Sequence, residues 1–170
     1  MKSAVPDEML RPPVSRFLPE PAATDALGRA LGAAAVAGDV IAAVGTLGAG
    51  KTCLAQGVAR GLEVPPEHYV NSPTFAIMQV HPGRLDFHHI DLYRIADPDE
   101  ALGLGLEEVI GTDGVAYVEW PGRLPEAIPR DALWLRIEPE GDGRRVLLVP
   151  RGPRSAAWLD RAFGNAHPAE

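Results

Sequence analysis

Apolar and polar positions follow two different periods along this chain, and the switches between them mark out its elements. Ala26, Leu27, Ala30, Leu31 and Ala34 recur at helical spacing, which predicts a helix capped by Thr24 and ended before the Gly38-Asp39 turn. Val40-Ile41-Ala42-Ala43-Val44 is a short, continuous apolar run, β-branched at both ends, as a strand buried on both faces should be. Residues 45–50 form a glycine-rich loop, and 51–60 a second helix with Gly61 just past its end.

After Pro65-Pro66, residues 74–80 and 85–90 read as strands joined by the turn His81-Pro82-Gly83-Arg84. Asp97-Pro98 opens a short helix, and another is expected over 107–110. Residues 115–118 make a strand that ends at Glu119, and 133–137 and 145–149 are strands paired across Glu140-Gly141-Asp142-Gly143. Pro6, Pro12 and Pro13 predict a disordered lead-in over 1–15, with Phe17-Leu18 starting an edge strand. Residues 151–170 read as a tail with helical character over 155–163. A single domain, 16–150, accounts for the rest.

Composition narrows the classes. The chain has 170 residues, 46% of them hydrophobic, enough to bury a core. Its net charge of −7 argues against gripping nucleic acid with the whole surface. No apolar run approaches the roughly 18–20 residues of a membrane helix, and the acids and prolines of the first residues do not read as an export signal. One cysteine, Cys53, allows neither an internal disulfide nor a cysteine metal cluster. The expected compartment is the cytoplasm. Lysine is scarce, with only Lys2 and Lys51 in the chain, so its presence inside a glycine-rich loop is informative.

That loop carries the chemistry. Gly45-Thr46-Leu47-Gly48-Ala49-Gly50-Lys51-Thr52 satisfies G-x-x-x-x-G-K-[ST]. The loop has to wrap a β-phosphate with successive N–H groups pointing inward, and glycines permit both the left-handed dihedrals and the close approach. The helix that follows aims its unpaired N–H groups and positive dipole end at the same phosphate. Lys51 can bridge β- and γ-phosphates, and the Thr52 hydroxyl can ligate Mg²⁺.

Such a site also needs a strand-end carboxylate near the metal, and Glu119 and Asp91 both qualify by position. His88 and His89 point to opposite strand faces and cannot chelate together, so a packed or surface pair is expected. Trp120 reads as core, and Cys53, with no His or second Cys nearby in sequence, carries no assigned chemistry. There is no Asn-Lys-x-Asp segment to read guanine and no Leu-Ser-Gly-Gly-Gln transporter signature. A small ATPase or a small-molecule kinase remains.

Four segments together resemble one family. They are residues 45–52, Ser72-Pro73-Thr74-Phe75, His89-Ile90-Asp91-Leu92-Tyr93-Arg94 and Glu119-Trp120, with Leu104-Gly105-Leu106-Glu107-Glu108 between. In order and spacing they are similar to the bacterial TsaE (YjeE) family over about residues 24–150. The resemblance implies an α/β, P-loop NTPase-like three-layer fold with a central mixed sheet flanked by helices. It implies an ATPase, with ATP and Mg²⁺, needed for N6-threonylcarbamoyladenosine at position 37 of tRNA and docking on a TsaB–TsaD heterodimer, with tRNA met indirectly. By motif match, Gly45, Leu47, Gly48, Ala49, Gly50, Lys51, Thr52, Cys53 and Trp120 would form the nucleotide site. Thr52 and Glu119 would serve the metal, and Lys51, Asp91, Glu119 and Thr74 the reaction. Thr46 stands where the family usually has Asp, and Cys53 where it often has Thr; altered tuning is expected from the first.

Two other readings are compatible with the loop: a small-molecule P-loop kinase, and a nucleotide-sensing interaction module. The kinase would need an arginine-bearing lid, and no arginine-rich insert is present. For the ATPase, slow hydrolysis in isolation is expected because no arginine finger is evident; Arg94, close to Asp91 in sequence, is the best candidate.

Overall fold

The computed structural model describes residues 11–73 and 75–164. Thr74 lies outside the described residues, as do 1–10 of the expected lead-in and 165–170 of the expected tail. Strand β1 (Val14–Leu18) leads into helix α1 (Pro21–Ala34), strand β2 (Val40–Val44) and helix α2 (Lys51–Gly61). Strands β3 (Met78–His81) and β4 (Phe87–Asp91) form a hairpin. Two short helices, α3 (Pro98–Leu102) and α4 (Leu106–Val109), precede β5 (Val115–Glu119). The hairpin β6 (Leu133–Glu140) and β7 (Gly143–Pro150) and helix α5 (Pro153–Phe163) follow.

Among the described residues, seven strands form one mixed sheet in the order β1-β7-β6-β2-β5-β4-β3. Its centre, β6-β2-β5-β4, is parallel, and antiparallel strands extend it on both sides. The apolar runs of β2 and β5 are explained by burial on both faces. Ile41, Ala43, Val115 and Tyr117 face a core shared with α1, α2 and α5. Val40, Ala42, Ala116 and Val118 face a second core that includes Leu106, Ile110, Leu124 and Ile128. This is the expected three-layer α/β architecture.

Several boundaries differ from the expectations, each for a physical reason. Helix α1 starts at Pro21 after Glu20, not after Thr24: proline's fixed φ and missing N–H suit the first helical turn, and Thr24 is buried one turn in. Strand β1 begins at Val14, because that side chain is buried in the first core, so residues 14 and 15 are not lead-in. The strand expected over 74–80 is shorter, Met78–His81; Ile77 has a φ of 65° and its N–H donates to the Pro73 carbonyl in a turn. Its partner runs Phe87–Asp91.

Gly61 does not end α2 in a left-handed conformation; it lies inside the helix, and Glu63 adopts the positive φ. A Cβ at Gly61 would sit 2.3 Å from the Arg29 carbonyl of α1, and one at Gly32 would sit 2.1 Å from that of Val58. These glycines let two helix backbones touch. The segment after Arg151 is likewise more than a tail. In α5, Trp158 and Leu159 are buried in the first core, and the Trp158 indole N–H donates to the Leu31 carbonyl at 2.9 Å. Asp39, at the entry to β2, accepts from Arg161 at 3.0 Å and Arg154 at 3.4 Å, which fastens α5 to the sheet.

Candidate functional site

The loop between β2 and α2 leaves the sheet at its centre, where strand ends and a helix N-terminus converge. Gly48 and Gly50 have φ of 76° and 111°, dihedrals that side chains disfavour. Gly45 is needed for a different reason: a Cβ there would sit 2.5 Å from the Ile137 carbonyl of β6. The Ala49 N–H donates to the Thr46 carbonyl at 3.1 Å, closing the loop on itself.

Lys51 opens α2 and is only 5% exposed. Its ammonium donates to the carbonyls of Gly45 and Thr46, and it lies 4.7 Å from the Trp120 ring centroid. Burial pulls its pKa below the ordinary lysine value, while the negative charges of Glu119 and Asp91 push it back up. Thr46 takes part through its main chain, so these contacts do not depend on the residue that stands there.

Glu119 and Asp91 are register neighbours at the ends of β5 and β4, and both are buried. The Leu92 N–H donates to the Glu119 carbonyl at 3.1 Å, holding the strand ends together. Asp91 accepts from the Ser72 hydroxyl at 2.7 Å and from the Tyr93 N–H at 2.9 Å. Glu119 pairs with His89 Nε2 at 2.9 Å; His89 is fully buried, and its Nδ1 has no hydrogen-bond partner among the described residues. The Tyr117 hydroxyl donates to the Lys51 carbonyl at 2.7 Å, tying β5 to the first turn of α2.

A cleft of about 400 Å³ joins these groups, lined by Gly48, Gly50, Lys51, Thr52, Asp91 and Glu119 among others. Cys53 and Trp120 line it too. The Cys53 thiol turns toward the Pro21 carbonyl at 3.8 Å, and burial, with Asp25 nearby, raises its pKa, which keeps it a thiol rather than a nucleophile. Trp120 has a φ of 57°, packs partly on the second core and presents its ring to Lys51. Behind the loop a groove of about 590 Å³ opens beside Trp134 and Arg136, and Trp120 forms the wall between the two.

The sequence-selected residues Gly45, Leu47, Gly48, Ala49, Gly50, Lys51, Thr52, Asp91, Glu119 and Trp120 are therefore gathered at one end of the sheet. Arg94 is not directed at the loop; its guanidinium stacks on Phe75 at 4.3 Å. Spacing alone missed His89, Ser72 and Tyr117 as supporting groups. His89 carried a usable signal, since residues 89 and 91 share one strand face.

The donor set suits a phosphate chain with a magnesium ion. The loop main chain and one ammonium suit anionic oxygens, and the two carboxylates and Thr52 lining the same cleft suit a hard cation that keeps several waters. Among the described residues there is no group of three or more His, Cys, Asp or Glu that could hold a metal ion.

Residues 18–147 match the family model described as threonylcarbamoyl adenosine biosynthesis protein TsaE. The tRNA threonylcarbamoyladenosine biosynthesis protein TsaE of Bacillus subtilis is 40% identical over 128 residues, covering 75% of this chain and 78% of that protein. The TsaE protein of Treponema pallidum is 35% identical over 112 residues, covering 66% and 82%. The crystal structure of Bacillus subtilis YdiB superposes with a TM-score of 0.78 at 29% identity, covering 91% of this chain and 95% of that one. With the loop, the paired strand-end carboxylates and the sheet order all in place, the chain belongs to the TsaE family of threonylcarbamoyl adenosine biosynthesis proteins.

Proposed function

We propose that this chain is a magnesium-dependent ATPase required for N6-threonylcarbamoyladenosine modification of tRNA, acting in the cytoplasm on a partner pair of the TsaB and TsaD kinds. One observation carries the reading: a buried ammonium at a helix N-terminus faces two strand-end carboxylates across a cleft lined by a glycine loop. A helix N-terminus, a loop of main-chain N–H groups and one lysine suit a polyphosphate, while the carboxylates suit its metal. The pathway rests on the family and on the names of the relatives.

The chain's own groups divide the work. Loop N–H groups hold the β-phosphate, Lys51 neutralises the β- and γ-phosphates, and Thr52 and Glu119 hold the metal or its water shell. Bound Mg²⁺ supplies charge neutralisation on the transferring phosphoryl group. Asp91, steadied by Ser72 and the Tyr93 N–H, orients the attacking water, and the family resemblance adds Thr74 on the γ-phosphate side. The water oxygen bonds to the γ-phosphorus as the bridging P–O bond breaks; its proton passes through a carboxylate to solvent, and ADP and inorganic phosphate leave. With Arg94 stacked on Phe75, no arginine is assigned to the transition state in cis, so turnover by the isolated chain is slow.

Calorimetry with ATP and ADP in the presence of Mg²⁺ tests the site. Wild type should give heat with both, and Lys51→Ala with neither. No heat from folded wild type overturns the reading. Nucleotide binding with no hydrolysis, even beside the partner pair, would favour a nucleotide-sensing module, and a phosphorylated metabolite formed in cell extract would favour a kinase. Loss of the modified nucleoside from tRNA on depletion tests the pathway, and turnover alone as fast as in the complex rules out gating by the partner.

A further inference from the structure

Strand β7 reaches the phosphate loop with an arginine that no sequence motif marks. Arg144 Nε donates to the Ala49 carbonyl at 2.9 Å, Nη2 to the Gly48 carbonyl at 3.4 Å, and Nη1 to the Gly143 carbonyl at 2.8 Å. Among the described residues no carboxylate forms an ion pair with it, so its charge is directed at loop main chain. It stands next to the hairpin tip, opposite Pro139, on the same hairpin whose Ile137 packs beneath Gly45 and Gly50.

We propose that Arg144 is a positioning residue for nucleotide binding, holding the loop carbonyls away from the phosphate and strengthening the Gly50 N–H as a donor to it. The inference rests on the ATP-binding reading above. The effect is transmitted through the peptide unit. The Ala49 carbonyl and the Gly50 N–H belong to the same peptide, so a cation on the oxygen draws electron density toward itself and makes that N–H a better donor, as in any polarised hydrogen-bond chain. The bond also fixes orientation. A glycine-rich loop has many accessible dihedrals, and a peptide flip at residues 49–50 would turn a carbonyl toward the phosphate. A charged donor anchored on a β-hairpin opposes that flip before any ligand arrives, so less ordering remains to be done on binding.

The β-phosphate is common to ADP and ATP, so both should be affected alike. Arg144→Ala should weaken MgADP and MgATP by about tenfold, the loss of one charge-assisted hydrogen bond. The KM for ATP should rise by a similar factor while kcat stays within about twofold, because the brace does not touch the reacting atoms. Arg144→Lys keeps the charge and one donor and should recover most of the affinity. Calorimetry and steady-state kinetics on full-length wild type and both variants, with the melting temperature of nucleotide-free protein measured alongside, form the test. Wild-type affinity in a folded Arg144→Ala protein overturns the proposal, as does a fall in kcat with KM unchanged, or a folded lysine variant at least tenfold weaker than wild type. Should the alanine variant fail to fold, Arg144→Met, which keeps the apolar stem and removes the charge, takes its place: a roughly tenfold loss of affinity supports the brace, and wild-type affinity in the folded protein overturns it. If wild type itself binds neither nucleotide, the ATP-binding reading falls and the brace with it, a result distinct from loss of the brace alone.

Discussion

Lys51 and the two carboxylates opposite it are the residues on which the site depends, and their charges predict a pH signature. In the free protein, burial lowers the Lys51 pKa, with Glu119 and Asp91 opposing. A docked phosphate chain adds negative charge and raises it. Affinity is therefore greatest below the free-state value and falls as pH rises through the window between the free and bound values, with proton uptake on binding in that window. Calorimetry from about pH 7 to about pH 10 in buffers of different ionisation enthalpy should record this uptake; affinity independent of pH would contradict it. His89 supplies a second prediction. It orients Glu119 from behind, so His89→Ala should cut ATP hydrolysis by about 10–100-fold while ADP affinity without metal stays near wild type. Equal losses in both would mean that the histidine serves only packing. The loop and both carboxylates were legible in the sequence because a phosphate grip demands fixed spacing and Walker-type acids end strands. The supporting contacts were not: His89 meets Glu119 across 30 positions and Arg144 meets Ala49 across 95.

Among the elements, the pairing of α1 with α2 sets the phosphate loop, since α2 carries Lys51 at its start. Gly28, Gly32, Gly57 and Gly61 face the neighbouring helix so closely that any Cβ would meet backbone at 2.7 Å or less. Gly32→Ala should lower stability by about 1–3 kcal/mol, the range for overpacking a tight contact, even though alanine favours helix in isolation. Urea unfolding measures it, and an unchanged or raised midpoint would show that the helices can separate freely. Periodicity found both helices but not their contact. It read Gly61 as a terminator, because a glycine near a helix end is usually that; here the facing backbone decides. The same holds for the far end of α1, which has no basic residue in its last turn. Arg84 and Arg161, distant in sequence, donate to its terminal carbonyls instead.

For the molecule as a whole, α5 packs with α1 over the core on one face of the sheet. Trp158 and Leu159 complete the core beneath α1, so Trp158→Ala should cost about 3–5 kcal/mol, the usual range for emptying a buried tryptophan site. Chemical denaturation of the variant tests this, and a loss below about 1 kcal/mol would make the helix an appendage. The family model ends at residue 147, before this helix, and the sequence pattern gives helical character over 155–163 but reads as a tail outside the domain. Residue order by itself determined the succession of helices and strands, though not all their ends, and the phosphate loop, the strand-end acids and the family, because each depends on chemistry or periodicity within a short stretch. Only the folded chain decided which strand lies beside which, that His89 backs Glu119, that Arg144 braces the loop and that the last helix belongs to the core. Those are meetings of distant segments, and local spacing has no term for the energy of a contact made across the whole chain.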